Sequence, residues 1–270
     1  MILEKTVNLV EQIYNYHKIL PPKVNRVILG LGYTGVELVS YMYDPFLGLA
    51  STLPNIIQST DCTKIEFAGK LTDKSFKELM SWSYKGQNLE KVIGIATLNA
   101  ASQQILAVRN PYKDVKENLI DFLKINKQTR TIFIGFMKPM IKSVLTKTRL
   151  IRIVDNNPFI SSSYRDIPII KEVEELRESE METDILFCTG TTLINDTLEN
   201  ILSIFKSRTN TIVLLGPSVS FLPDILFDKG VNIVGGMKIF DSESTIKVLQ
   251  EGGGTKLFKR YGKKYNFIKE

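Results

Sequence analysis

The sequence predicts an α/β protein in which a smaller α+β domain precedes a Rossmann-like, mostly parallel sheet. The main observation is that short apolar runs alternate with helical patterns through the second half of the chain. In addition, two of these runs end in small, hydroxyl-rich loops: Ile185–Cys188 enters Thr189–Thr192, and Thr211–Leu215 enters Gly216–Ser218. Open α/β sheets bind their ligands at loops of this kind, where a strand meets a helix.

The composition is that of an ordinary globular protein. Of 270 residues, 43% are hydrophobic and 24% are charged. No apolar run approaches the ~20 residues of a membrane helix, and the first part of the chain lacks the pattern of a signal peptide. The two cysteines, Cys62 and Cys188, are too few for a disulfide framework, so a cytoplasmic location is expected.

The net charge of +6 is concentrated at the end of the chain. Residues 256–270 contain six lysines and arginines and one glutamate, so the remainder is close to neutral. A neutral body argues against a nucleic-acid protein with a broad basic face. The tail alternates aromatic residues with lysines, which favours an edge strand protected from aggregation and leaves nucleic acid or anionic lipid as alternatives.

The first domain is predicted to begin with an amphipathic helix that stops before Pro21-Pro22. The next run, Val24–Gly30, leads into GxGxxG at Gly30–Gly35, a dinucleotide fingerprint if a crossover helix follows. Instead, Val36–Tyr43 is β-branched and aromatic and ends at Asp44-Pro45, which is too short for a crossover. We therefore expect an antiparallel meander, with nucleotide binding as the alternative.

Two helices follow, and the second is apolar on nearly all sides and therefore buried. It carries Asn99, whose amide must find hydrogen-bond partners in such a setting. The side chain is either a structural clamp or a group directed into a cleft. Arg109-Asn110-Pro111 is the best boundary, and it divides the chain into domains of residues 1–110 and 111–270.

The second domain is predicted to contain about five strands that alternate with helices. The predicted strands are Thr131–Ile134, Leu150–Val154, Ile185–Cys188, Thr211–Leu215 and Asn232–Val234, the last ending at Gly235-Gly236. The predicted helices are Val115–Ile125, one with Pro139 in its first turn, an acidic one from near Lys171, one after Thr192 and one around Pro223–Phe227.

The carboxyl ends of these strands should carry the ligand. Asp155 lies twenty residues after Gly135, the spacing at which an acidic residue takes the ribose hydroxyls of a cofactor. The loop after Gly135 lacks the phosphate fingerprint, so this spacing fits an adenosyl-type ligand better than a dinucleotide. The alternative is that Asp155 only starts a turn.

The Thr189–Thr192 loop offers hydroxyls and backbone N–H groups but no P-loop lysine. Asp196 and Glu199 have the spacing of a capping box at the following helix, and their charges would repel a phosphate. A neutral polar or chelated ligand therefore suits this loop, unless it is only a strand-to-helix turn.

Transition metals prefer imidazole and thiolate ligands, and this chain has one histidine and two cysteines at unrelated positions. His17 is expected at a helix surface and Cys188 in the core. The absence of GxSxG and the distance of His17 from any plausible serine exclude Ser-His-Asp hydrolysis. We expect no protein-made metal cage, so any metal would arrive with donors from its own ligand.

A series of motifs resembles the putative heavy-metal chelation family, proteins of unknown function that join an enolase-N-terminal-like domain to a Rossmann-like domain. The matching motifs run over most of the chain: YTGVEL (Tyr33–Leu38), GLAST (Gly48–Thr52), GIATLNA (Gly94–Ala100), FIG (Phe133–Gly135), Asp155 with Pro158, TGTTLINDTL (Thr189–Leu198), LLGPS (Leu214–Ser218), Leu226–Gly236 and EGGGT (Glu251–Thr255).

The resemblance implies a cleft between the two domains and a role in chelating metals or handling metal-chelating small molecules. Relatives often place a histidine after the glycine at Gly135, where this chain has Phe136, so a direct metal ligand is missing. Carried over by position, the cleft would be lined by Tyr33, Thr34, Asn99, Gly135, Asp155, Thr189, Gly190, Thr191, Thr192, Gly216, Pro217 and Ser218.

The sequence thus predicts a cytoplasmic protein that binds a small polar ligand between its domains, such as a metal chelate or a metal-chelating cofactor. A transferase that uses an adenosyl-type cofactor at the same strand ends is the alternative. The expected partner is this small molecule. Nucleic acid and membrane partners are not expected, and a homo-oligomer is left open.

Overall fold

The computed structural model describes residues 1–57 and 65–269 and confirms the predicted α/β class. Cys62 lies outside the described residues. An N-terminal part contains a three-stranded antiparallel sheet, and a second part contains a nine-stranded, mostly parallel sheet. The division into domains at residue 110 stays a prediction.

The N-terminal part consists of helices packed on one small sheet. Its elements are α1 (Ile2–Tyr16), β1 (Lys23–Leu29), β2 (Tyr33–Ser40), β3 (Tyr43–Ser51), α2 (Pro54–Ile57), α3 (Phe76–Lys85) and α4 (Asn88–Val108). The first helix is amphipathic as predicted, because Leu3, Val7, Val10 and Tyr14 all lie on its buried face.

The predicted antiparallel meander is confirmed, since β1 pairs with β2 and β2 with β3 in antiparallel registers. The second turn lies at Tyr41-Met42, so the expectation that the strand ends at Asp44-Pro45 is wrong. Those two residues belong to β3. A proline is tolerated there because β3 is an edge strand of this sheet.

Helix α4 is the centre of the N-terminal part. It is 21 residues long and buried on nearly all sides, as the sequence predicts. A Cβ on Gly94 would lie 2.0 Å from the backbone nitrogen of Ser83 in α3, so the two helices pack backbone against backbone. On its other side, α4 contacts β3 equally closely at Gly48.

The second part is built around the large sheet. Its elements are β4 (Lys113–Asp114), α5 (Leu119–Phe122), β5 (Thr131–Ile134), α6 (Lys138–Val144), β6 (Ile151–Val154), β7 (Ser163–Tyr164), β8 (Ile167–Ile170), α7 (Glu178–Met181), β9 (Thr183–Thr189), α8 (Leu198–Phe205), β10 (Thr209–Leu215), α9 (Asp224–Asp228), β11 (Ile233–Ile239), α10 (Ser242–Gln250), α11 (Thr255–Phe258) and β12 (Gly262–Ile268).

Several boundaries in this part differ from the prediction because strand pairing overrides local preference. The expected helix Val115–Ile125 is reduced to α5, since Val115 donates its N–H to Asn266 O and is held at the sheet. The expected acidic helix near Lys171 is a 3₁₀ turn followed by the four-residue α7. Just before it, β7 and β8 form a hairpin that the pattern did not reveal.

The large sheet has nine strands where about five were expected. Gly235-Gly236 does not end a strand, because β11 continues through both residues to Ile239. The Leu215 side chain and the Tyr265 ring fill the space above these glycines. The basic tail forms β12, which lies between β11 and the short β4, so its expected edge position is wrong.

Candidate functional site

The order of the parallel strands defines where a ligand can bind. Strands β8, β6, β5, β9, β10 and β11 are adjacent in that order and parallel to one another. Numbered along the chain, this is the 3-2-1-4-5-6 order of a doubly wound sheet. The order reverses between β5 and β9, so their carboxyl ends form the topological switch point where such folds bind ligands.

A groove of about 570 Å³ lies at this switch point, and we call it the switch-point groove. One wall comes from the segment after β3, and the others come from the loops after β5, β6 and β9. Its lining residues are Leu53, Pro54, Asn55, Gly135, Phe136, Met137, Asp155, Asn156, Asn157, Pro158, Phe159, Ile160, Thr189, Thr191, Asn195 and Thr197.

A smaller hollow of about 130 Å³ shares Gly135, Asp155, Thr189 and Thr191 with the groove and also contacts Thr192. Gly135 has a positive φ of +99°. A Cβ at this position would lie 2.4 Å from Cγ2 of Thr189. Only glycine therefore lets the ends of β5 and β9 approach this closely.

Asp155 connects the loops after β5 and β6. Its Oδ2 accepts a hydrogen bond from the backbone N–H of Phe136 at 2.6 Å. Its Oδ1 accepts one from Asn157 N–H at 2.9 Å, which is the turn that the sequence offered as the alternative to a ligand role. The carboxylate thus fixes two groove loops and remains half exposed.

The Thr189–Thr192 loop forms a 3₁₀ turn, Gly190–Leu193, and the full helix α8 starts only at Leu198. Within the loop, Thr192 Oγ1 donates to Thr189 O at 2.7 Å. Gly190 and Thr192 are buried, whereas Thr189 and Thr191 are partly exposed. Thr189 and Thr191 are therefore the threonines of this loop that line the groove.

The expected capping box of Asp196 and Glu199 does not form. Thr197 is the N-cap residue of α8, and its side chain makes no capping bond. Asp196 instead adopts a positive φ of 60° and pairs with Lys91 of α4. Glu199 Oε1 accepts the backbone N–H of Ile2 at 2.5 Å. Contacts to the N-terminal part have replaced the local cap.

Five of the predicted residues lie outside the groove lining: Asn99, Pro217 and Ser218 make contacts between the two parts, whereas Thr34 and Gly216 bond within their own part. Asn99 Nδ2 donates to Leu49 O at 2.7 Å and to Pro217 O at 3.2 Å. Ser218 is 2% exposed, and its Oγ accepts the backbone N–H of Ser51 at 3.0 Å. Thr34 is buried against Thr52, and Gly216 N–H donates to Gly235 O.

Tyr33 lies in a third place. Its hydroxyl accepts a hydrogen bond from Thr255 Oγ1 at 2.8 Å, and its ring packs edge-on against Phe258. Burial raises the pKa of the Tyr33 hydroxyl above its ordinary value. Tyr33 is not part of the groove lining.

Two segments of the groove wall are not among the residues that the sequence predicts for the site. Asn156–Ile160 follows Asp155 directly, and its Asn-Asn-Pro turn was a signal that could have been used. Leu53–Asn55 carries no comparable signal, because its role depends on how the N-terminal part is placed against the sheet.

The groove offers few charged groups. Among the described residues of its lining, Asp155 is the one carboxylate, and both of its oxygens already accept backbone N–H groups. Within the described ranges 1–57 and 65–269, no three His, Cys, Asp or Glu side chains are grouped closely enough to hold a metal ion. The donor set of the groove therefore does not fit a bare transition-metal ion.

Cys188 is fully buried in the core beneath this site, as predicted. Burial raises the pKa of its thiol to about 12, so the thiol is neutral at physiological pH. In a Cys62→Ser variant, where Cys188 is the only thiol, we expect no reaction with Ellman's reagent at pH 8 until denaturant is added. Stoichiometric labelling of the folded protein within minutes would contradict this placement.

Comparison with known proteins agrees with this architecture. A family model described as putative heavy-metal chelation matches residues 118–268, and a second model with the same description matches residues 17–102. The chain belongs to this family. An uncharacterized protein of Methanocaldococcus jannaschii is 26% identical over 194 residues, which cover 72% of this chain and 71% of that protein.

Two solved structures of the putative heavy-metal chelation family have the same fold. The protein of unknown function from Pyrococcus horikoshii superimposes with a TM-score of 0.75 at 24% identity, over 100% of both chains. The one from Desulfitobacterium hafniense has a TM-score of 0.69 at 16% identity, over 98% of this chain and 100% of that one. At these identities the likeness concerns the fold alone.

The family membership predicted from the motifs is thus confirmed. In the part of the chain that the structure describes, no helix combines the length and apolarity needed to cross a bilayer.

Proposed function

We propose that the switch-point groove binds a small polar ligand, and that this ligand is a metal chelate or a metal-chelating cofactor. The observation that carries the proposal is a 570 Å³ groove at the carboxyl ends of β5, β6 and β9, closed on one side by Leu53–Asn55 of the N-terminal part. This position between two parts of the chain is typical of small-molecule sites.

The chemistry of the lining supports a ligand that carries little net charge. Part of the lining consists of hydroxyl and amide side chains, with Thr191, Asn195 and Thr197 as examples. Other lining residues are apolar and include Phe159, which is 74% exposed. A chelate, whose metal charge is balanced by its own donor atoms, combines a polar and an apolar surface in this way.

The family is described by heavy-metal chelation. The groove is compatible with such a role if the metal enters it already bound to a chelating ligand. A bare ion would need several imidazole, thiolate or free carboxylate ligands from the protein. The described residues of the groove supply one carboxylate, which is already hydrogen-bonded to two backbone amides. The metal's donors must therefore belong to the ligand.

An adenosyl-type cofactor is the second candidate. Asp155 follows β6, the strand next to β5, which is where doubly wound folds place the acidic residue that binds a ribose. Each Asp155 oxygen keeps a second lone pair, so a ribose hydroxyl could still donate to it. Phe136 and Phe159 would supply aromatic surface for a base.

A thermal-shift titration separates these candidates. We expect two neutral chelates, tris(maltolato)iron(III) and bis(maltolato)copper(II), to raise the unfolding midpoint, since a ligand at a hundred times its dissociation constant adds about 2.7 kcal/mol. Metal salts without a chelator should leave the midpoint unchanged. A shift with S-adenosylmethionine but with neither chelate would favour the adenosyl cofactor instead.

Asp155→Ala is expected to abolish the rise in the unfolding midpoint caused by the chelate. The loops after β5 and β6 both lose the Asp155 carboxylate, which accepts a backbone N–H from each. Asp121→Ala is the matched control: among the described residues its exposed carboxylate pairs with exposed Lys147 alone, so the variant should bind as wild type. Thr191→Val, which keeps the shape of the side chain, should weaken binding about tenfold through one lost hydrogen bond. Equal shifts in wild type, Asp155→Ala and Thr191→Val would place the ligand elsewhere.

A further inference from the structure

Part of the basic tail lies in a segment of sheet that the switch-point groove does not use. Strand β12 pairs with β11 along its whole length in an antiparallel register. Within the described residues, β10 pairs with β11 only as far as Gly235, and β4 pairs with β12 only at Phe267 and Ile268. Residues 236–239 and 262–265 therefore continue beyond the rest of the sheet as two strands, which we call the β11–β12 ribbon.

The two faces of the ribbon differ. On one face, Met237 and Ile239 are 5% and 6% exposed and pack in a core cluster with residues of β1, β3 and α10. Because successive side chains point to opposite faces of a strand, Lys238 lies on the other face, together with its cross-strand neighbour Lys263. Phe240 follows in the same alternation and is 66% exposed. The ribbon thus presents an open face of two lysines and one phenylalanine.

The two lysines of this face repel each other. Lys238 and Lys263 are directly opposite across the ribbon, and both are exposed. The Cβ atoms of such a pair are about 4.5–5.5 Å apart, and like charges in this arrangement are destabilising. Among the described residues, no carboxylate oxygen lies within 4.0 Å of either ammonium nitrogen. An anion from outside the chain would relieve this repulsion.

Three more cations of the tail lie close to the same face. Lys264 is the next residue on β12, and Lys259 and Arg260 come just before Tyr261, whose carbonyl accepts the backbone N–H of Phe240 at 3.0 Å. All three cations are exposed, and none forms an ion pair with a described residue. The open face and its surroundings therefore carry five positive charges.

The carboxylates that follow Phe240 are already engaged elsewhere. Asp241 Oδ1 caps α10 by accepting the backbone N–H of Ser244 at 3.0 Å. Glu243 pairs with Arg26 of β1. These bonds hold both carboxylates toward α10 and the small sheet, so they leave the positive charge of the ribbon uncompensated.

The shape and aromatic content of the open face indicate the kind of partner. Small ligands bind in concave sites, and none of these residues lines the switch-point groove or its hollow. Single-stranded nucleic acid stacks successive bases on several aromatic side chains, but Phe258, Tyr265 and Phe267 of the tail are buried. A β-ribbon can enter the major groove of DNA, but the packed face of this ribbon prevents such insertion. An anionic lipid surface needs only positive charge and an apolar side chain.

We propose that the open face of the β11–β12 ribbon docks on an anionic lipid bilayer. Lys238, Lys263 and the neighbouring cations of the tail contact the lipid phosphates, and Phe240 enters the boundary between headgroups and acyl chains. Attachment through a few charges and one apolar side chain is reversible. This proposal does not rest on the function proposed for the switch-point groove, because the two surfaces share no residue.

Co-sedimentation of the full chain with lipid vesicles tests the proposal. The probes are vesicles of equal parts phosphatidylcholine and phosphatidylglycerol, with phosphatidylcholine alone as the neutral surface. We expect the mixed vesicles to bind at least tenfold more tightly than the neutral ones. Binding should be lost at about 1 M NaCl, where the Debye length falls to about 3 Å. No binding to the mixed vesicles, or equal binding to both kinds, would overturn the proposal.

Paired variants assign the binding to the ribbon. Lys238→Gln with Lys263→Gln should weaken binding to the mixed vesicles about 25-fold, because each lysine near an anionic surface contributes about fivefold. Lys127→Gln with Lys142→Gln is the matched control, since it removes the same charge from exposed positions outside the ribbon and should bind nearly as wild type. Equal losses in the two double variants would show that net charge alone drives the binding, and the ribbon would be excluded.

Phe240→Ser separates a bilayer from nucleic acid. This variant should weaken binding to the mixed vesicles about tenfold, because the exposed ring no longer leaves water. Its binding to a single-stranded oligodeoxythymidine should equal that of wild type. If Phe240→Ser instead weakens oligonucleotide binding and leaves vesicle binding unchanged, the ring stacks on bases and the lipid proposal is wrong.

The stability of Lys238→Gln without lipid is an independent readout. Removing one of two opposed like charges should leave the unfolding midpoint equal to or above that of wild type. A clearly lower midpoint would mean that Lys238 has a structural partner within the chain, and the argument from charge repulsion would fail.

Discussion

Gly48→Ala is expected to lower the free energy of unfolding by about 3 kcal/mol or more. A Cβ at this position in β3 would lie 2.0 Å from Ala96 O and 2.4 Å from Ala100 N, which are backbone atoms of α4. No rotamer change can relieve a collision with backbone, so the strand and the helix must separate. The loss can be measured by urea denaturation with linear extrapolation.

This substitution should also disturb the switch-point groove. Strand β3 leads into Ser51, which is bonded to Ser218, and then into the wall at Leu53–Asn55. Gly254→Ala is the matched control, because nothing lies within 4 Å of the added Cβ and its φ of −125° suits any residue. If both variants unfold at the same urea concentration, the close packing of β3 on α4 is wrong.

Arg26→Met is expected to destabilise the protein by about 3–5 kcal/mol, since it leaves a buried carboxylate without its partner. The side chain of Glu37 is fully buried and receives two hydrogen bonds of 2.7 Å from Arg26, which lies directly opposite it on β1. The paired carboxylate raises the pKa of the Arg26 guanidinium above its ordinary value. Urea denaturation again provides the measurement.

The loss of stability in Arg26→Met should arise from the unpaired charge of Glu37, so removing that charge should restore stability. The double variant Arg26→Met with Glu37→Leu is expected to recover most of the lost stability, because a buried pair can often be replaced by apolar residues. Arg130→Met is the control, since Arg130 pairs with Asp184 in a half-exposed bridge worth about 0–1 kcal/mol. A loss in Arg130→Met equal to that in Arg26→Met would contradict this argument.

The contacts between the two parts explain why several predicted ligand residues lie outside the groove. Asn99 and Ser218 were singled out because a polar group in an apolar helix or at a strand end needs a partner. The structure supplies those partners from the other part of the chain, at Pro217 O and Ser51 N. A need for hydrogen bonds is visible in sequence, but the identity of the partner is not.

The groove itself was partly predictable. Gly135, Asp155 and the threonines of the β9 loop follow apolar strands, and the carboxyl ends of parallel strands must meet at one edge of a sheet. In the structure these residues do lie together, in the groove and in the smaller hollow beside it. It could not find Leu53–Asn55, whose contribution depends on a long-range contact between the parts.

The sequence by itself determined the α/β class, the antiparallel meander, the buried helix α4 and the positions of most central parallel strands. These features follow from the periodicity of apolar residues and from glycine and proline breaks, which act over a few neighbouring positions. Tertiary structure alone decided the hairpin β7–β8, the inner position of β12 and the pairing of Asp196 with Lys91. Each of these depends on a partner far away in the chain, and the partner's backbone or charge outweighs the local preference of the segment.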